Sequence, residues 1–227
     1  MTTRLAWAGI MAVLLARLTV AQEHVSFPTQ DGWIIHGDLY GMGDRGVVLV
    51  HGGRFEKSSW EPQARVLVKA GFRALAIDLR GYGLSKEGPL SARSDYVSPL
   101  DVLAAVRYLR EHGAKAVSVV GASMGGDAAE AALDEAEPGE IDRVALLAHG
   151  AYGPPEKLKG RRLFIVSRDD LGPDGKPRLT GIRAQYEKAP EPKQLLILDG
   201  SAHAQFIFRT DQGERLTREI LRFLSDP

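Results

Sequence analysis

Apolar and polar positions along this chain repeat with two different periods, and the switches between them set out an alternating order of strands and helices. Residues 24–27 and 33–39 alternate with period two, and Gln30, Asp31 and Gly32 between them form a hairpin-turn signal, so two antiparallel strands are predicted there. Residues 47–50 (VVLV) are wholly apolar, the pattern of a strand covered on both faces. A helix is predicted over residues 60–70 with Gly71 as its stop, then a buried strand over residues 72–77. Ser98 carries helix-start chemistry: it is a good N-cap, Pro99 fits the first helical position, and Asp101 completes an S-x-x-D capping box. Leu100, Leu103, Val106 and Leu109 supply that helix with an apolar face, and Gly113 ends it.

Further strands are predicted at residues 116–120, 144–147, 163–166 and 194–198, and helices at 127–136, 182–188 and 213–224. In the last helix Leu216, Ile220, Phe223 and Leu224 fall at i, i+4, i+7 and i+8, a core-facing stripe. Repeated βα units with short links imply an α/β fold: a mostly parallel central sheet of about eight strands with helices on both faces. Without internal repeats or linkers, residues 22–227 read as one domain.

The strand at residues 116–120 runs into Gly121-Ala122-Ser123-Met124-Gly125, a G-x-S-x-G pentapeptide that leads into a helix. Glycines two residues either side of the serine let strand and helix approach closely, and the apex residue is left strained with its hydroxyl exposed. That suits a nucleophile. A serine hydroxyl is a poor nucleophile at neutral pH, so Ser123 needs a base, and the base needs an orienting acid. In this architecture the order along the chain is Ser, acid, His, each after a strand. His203 follows the strand at 194–198 through a small-residue turn, and Ser167-Arg168-Asp169-Asp170 follows the strand ending at Val166.

Composition narrows the field. The chain of 227 residues is long enough for a substantial core, and 29 basic residues balance 29 acidic ones. No basic stripe is present to track a nucleic acid. The absence of cysteine excludes disulfides, thiolate nucleophiles and Cys-ligated metals. His24, His36 and His112 lack ligand spacing, so no metal or other cofactor is expected. Residues 1–21 have the layout of a secretory signal peptide: Arg4, an apolar run over 5–16, then small residues before Gln22. Export to the periplasm or medium is therefore expected, with no stable membrane anchor after processing.

Taken together, these features resemble the α/β-hydrolase superfamily across the chain after residue 21. His51-Gly52-Gly53 after a buried strand resembles its oxyanion loop, and residues 78–85 (DLRGYGLS) its D-x-R-G-x-G-x-S turn. The length is similar to that of small lidless serine esterases and dienelactone-hydrolase-like members, although the latter carry a Cys nucleophile. The resemblance implies an α/β-hydrolase fold without a cap domain. By alignment with the family's G-x-x-D segment it implies Asp170 as the acid, with Asp169 as the alternative. It also implies an oxyanion hole made by the backbone N–H groups of Met124 and Gly53, or Arg54 if the loop is longer by one.

Arg54 and His149 are candidate substrate contacts, with a structural ion pair as the default role of Arg54 and a polar loop role equally open to His149, and His51 reads as a brace for the oxyanion loop. Only the short stretch His149–Gly160 lies between the strands at 144–147 and 163–166, where lidded relatives insert a cap, so an open site for small to medium ester substrates is expected. Amidase, peptidase, thioesterase or acyltransferase activity would use the same residues, and a non-catalytic binding protein would need none of them.

Overall fold

The structure, a computed structural model, describes residues 22–89, 98–149, 154–157 and 159–226; the expected signal peptide lies outside the described residues. Eight strands form one sheet in the order β1-β2-β4-β3-β5-β6-β7-β8. They are β1 (Gln22–Pro28), β2 (Ile34–Tyr40), β3 (Arg45–Val50), β4 (Phe72–Ile77), β5 (Ala116–Ala122), β6 (Arg143–Leu147), β7 (Arg161–Ser167) and β8 (Lys193–Leu198). β1 and β2 form the predicted antiparallel hairpin, and β2 also runs antiparallel to β4. Every pairing from β4 through β8 is parallel.

Strand residues alternate between two apolar layers, as the pleat demands. On one face Val48, Val50, Val119, Leu146 and Val166 pack with α2 (Pro99–Glu111), α3 (Met124–Glu135) and α4 (Arg178–Lys188). On the other, Val47, Leu49, Val120, Leu147 and Ile165 pack with α1 (Glu61–Lys69) and α5 (Gly213–Ser225). The stripe Leu216, Ile220, Phe223 and Leu224 is buried against that second face. Burial of this kind contributes roughly 25 cal/mol per Å² of apolar surface, which makes these two layers the main support of the sheet. Among the described residues no helix is long and apolar enough to cross a membrane.

Two local expectations are corrected. Ser98 caps α2 by accepting from the Leu100 N–H at 3.3 Å, but Asp101 does not close a capping box. Its fully buried carboxylate accepts instead from the Arg80 backbone N–H at 2.9 Å and from the Arg80 guanidinium at 2.7 and 2.9 Å. Arg80 also holds Asp31, which ties the β1–β2 turn and the start of α2 to the segment after β4. The helix after the elbow starts at Met124, three residues before the predicted Asp127, because glycines at 125 and 126 do not interrupt it.

Candidate active site

The parallel strands deliver their carboxyl ends to one edge of the sheet, where the chemistry-bearing residues collect. Ser123 joins β5 to α3 with φ 51° and ψ −116°, a left-handed conformation that L-residues rarely adopt. The glycines around it are steric necessities. A Cβ on Gly121 would lie 2.3 Å from the Gly125 carbonyl oxygen, and one on Gly125 would lie 2.4 Å from that of Val50.

His203, on the turn after β8, reaches both of its neighbours. Its Nε2 lies 2.9 Å from Ser123 Oγ, and its Nδ1 lies 2.8 Å from Asp170 Oδ2. A carboxylate only accepts, so Nδ1 carries the proton and Nε2 is left to accept from the serine hydroxyl. Asp170 is buried, and Arg178 from the start of α4 stands 3.6 Å from its other oxygen. Asp169 is exposed, and its backbone N–H bonds Gly200. The structure thus brings Ser123, His203 and Asp170 together and leaves the Asp169 side chain facing solvent.

The loop after β3 lies against the serine: a Cβ on Gly52 would come within 3.5 Å of Ser123 Cβ. His51 is fully buried behind it, donating from Nδ1 to the Gly52 carbonyl at 2.9 Å and accepting at Nε2 from the Leu79 N–H at 3.2 Å. Burial holds its pKa below the ordinary histidine value, which keeps that neutral tautomer in place.

Gln205 carries no motif that marks it in the sequence. Its Oε1 accepts from the Gly52 N–H at 2.8 Å, and its Nε2 donates to Ser59 Oγ at 2.8 Å, so it ties the loop after β3 to the turn that carries His203. The Gly52 N–H is therefore already engaged, and the Gly53 N–H is the next one along the loop. Met124 opens α3, where the first N–H groups have no partner inside the helix. Tyr82 Oη lies 3.4 Å from Met124 Sδ at the rim of the same space.

Of the two candidate substrate contacts, His149 is buried, with Nδ1 2.5 Å from Asp127 Oδ1 and its Cβ packed toward Gly126. These contacts make it a brace for the first turn of α3. Arg54 is exposed beside Gly53. Among the described residues no cluster of three or more His, Asp or Glu side chains could hold a metal ion.

The profile of the alpha/beta hydrolase family matches residues 47–223. The chain belongs to the alpha/beta hydrolase family. A rat relative named "Putative protein-lysine deacylase ABHD14B" is 27% identical over 183 residues, covering 79% of this chain and 84% of that protein. Non-heme chloroperoxidase CPO-A1 of Kitasatospora aureofaciens is 30% identical over 149 residues, 66% of this chain but only 48% of that one. An esterase of Pyrococcus furiosus superposes with a TM-score of 0.71 at 19% identity, covering 90% of this chain and 92% of its own, which shows the shared fold. Membership of this family places the chain among hydrolases, with small molecules as the general substrate class.

Proposed function

We propose that this alpha/beta hydrolase is a serine esterase that cleaves small to medium carboxylic esters through an acyl-enzyme on Ser123. The observation that carries the reading is the unbroken hydrogen-bonded series Asp170–His203–Ser123. His203 Nε2 takes the Ser123 proton as Oγ attacks the ester carbonyl, and Asp170 holds the imidazole in the tautomer that leaves Nε2 free to do so. The carbonyl oxygen becomes an oxyanion beside the start of α3, where the Met124 and Gly53 N–H groups donate to it. A donor in that role is worth about 3 kcal/mol of barrier, or 10²–10³ in rate. His203 then protonates the departing alkoxide. Water, activated by the same histidine, releases the acid and restores the serine.

The short 148–160 connection supports an open site for soluble substrates. The deacylase name of the rat relative supports a second reading, acyl removal from an amine, which uses the same steps with a poorer leaving group. A panel of p-nitrophenyl acetate and butyrate against the matching anilides and thioesters tests the choice. The proposal expects ester turnover to dominate; turnover of anilides alone would overturn it. We also propose export, for which N-terminal sequencing of secreted protein should begin near Gln22, and a retained Met1 would contradict processing.

A further inference from the structure

At the loop after β3 the structure opens a depression of about 520 Å³, bounded among others by Gly53, Arg54, Phe55, Ser58, Tyr82 and Arg209. It adjoins the candidate active site through Gly53 and Met124. A Cβ on Gly53 would lie 3.6 Å from Met124 Sδ and 3.7 Å from Tyr82 Oη, so the oxyanion loop forms the border between the two.

Phe55 on its border meets Phe206 in a tilted contact, with ring centroids 4.9 Å apart and the planes at 55°. The Arg209 guanidinium sits over both rings, at 5.5 Å from the Phe55 centroid and 5.6 Å from that of Phe206. A guanidinium held through its charge against ring faces still has N–H donors to offer a planar acceptor. Among the described residues neither Arg209 nor Arg54 has a carboxylate within 4.0 Å, whereas Arg65, Arg80, Arg107 and Arg162 each sit on one. Among the described residues bordering the depression, Arg54 and Arg209 are the cations and Glu56 is the acid.

The placement of these groups follows from the two loops that carry the chemistry. Arg54 and Phe55 continue the loop after β3, one and two residues past Gly53. Phe206 and Arg209 lie on the short 3₁₀ turn Ala204–Arg209 that starts at His203. Gln205 on the same turn bonds back to Gly52, which fixes the two loops against each other.

We propose that Arg54 and Arg209 form an anion-recognising wall of the active site, and that the preferred substrates are esters bearing a carboxylate separated from the scissile bond by an apolar, ring-sized body. This rests on the serine-esterase reading. With a formal net charge of zero, the whole molecule has no general attraction for anions, so the selection is local to this wall. Both guanidinium groups are exposed, and the preference should fall as salt rises, since the screening length shrinks from about 30 Å at 0.01 M to about 8 Å at 0.15 M ionic strength.

Two matched pairs of esters locate the carboxylate. 4-Acetoxybenzoate against 4-acetoxybenzamide tests the alcohol side. 4-Carboxyphenylacetic acid methylated on its acetic carboxyl, against methyl phenylacetate, tests the acyl side. The wild type should turn over one charged ester with kcat/KM about tenfold above its neutral partner at low salt, the size expected of a hydrogen bond to a charged group. Arg209→Gln and Arg54→Gln should each lower that ratio severalfold, and Glu56→Gln should raise it. A ratio near one in the wild type, or a ratio unmoved by the double substitution, would overturn the proposal.

If no ester is turned over, it is the esterase reading that has failed, and calorimetry on the Ser123→Ala protein decides the binding claim separately. Phenylacetate binding more tightly than phenylacetamide, with the difference lost in Arg209→Gln, upholds the wall; equal binding of the two overturns it.

Discussion

At the scale of single residues, the site depends on one strained serine and the groups that hold its neighbours. A non-glycine residue at φ 51° costs of order 1–3 kcal/mol, and it persists because β5 and α3 are packed too closely to relax. Gly125→Ala places a methyl group on the Val50 carbonyl, and a loss of more than about 2 kcal/mol is predicted, seen as a lower midpoint in urea unfolding. Asp170→Asn should lower kcat by roughly 10³–10⁴ by removing the acceptor that sets the His203 tautomer, while Asp169→Asn should stay within a few-fold of wild type in steady-state assays. Equal losses for the two would contradict the assignment of the acid. Gln205→Leu frees the Gly52 N–H and lets the loop after β3 shift beside Ser123, so kcat should fall by about tenfold or more with KM little changed. Ser123, His203 and the aspartate pair were legible in the sequence because strand ends and small-residue turns announce them. Gln205 was not, since its partner Gly52 lies 153 residues away and a lone glutamine carries no motif.

At the scale of elements, Arg80 links three pieces that the sequence presents separately. Its guanidinium joins Asp31 of the β1–β2 turn to Asp101 at the start of α2. The hydrogen bond from Arg80 holds the Asp31 carboxyl below the usual carboxylate range. Arg80→Met would leave Asp101 buried without its cation, at a predicted cost of about 3–5 kcal/mol, read as a lower denaturant midpoint with an unchanged slope. The S-x-x-D pattern at Ser98 marks a helix start. It misled about Asp101, because a local motif cannot reveal that a distant arginine competes for the same carboxylate. The late boundary placed on α3 has a related cause: glycine weakens a helix on its own, but here Gly125 and Gly126 are where backbone and His149 pack closest. The two apolar layers and the α5 stripe were fully legible, since periodicity records burial directly.

At the scale of the whole molecule, the buried histidine behind the loop after β3 couples the site to overall stability. His51 has a folded pKa below its ordinary value of 6.5 because it is buried. The unfolded chain therefore takes up a proton that the folded protein refuses. His51 stabilises the fold above about pH 6.5, and that contribution is lost as pH falls from there toward its depressed value. Unfolding free energies measured between pH 7.5 and 5 should decline, and His51→Asn should flatten the decline even if it lowers stability throughout; an unchanged slope would contradict the linkage. The sheet order, the family and the clustering of Ser123, His203 and Asp170 at one edge of the sheet all lead to one chemical claim: that Ser123 is the nucleophile. Intact-protein mass spectrometry after treatment with a fluorophosphonate tests it most directly. A single adduct on Ser123 is expected, lost in Ser123→Ala and greatly slowed in His203→Ala; no adduct on the folded wild type, or one that survives Ser123→Ala, would contradict the account.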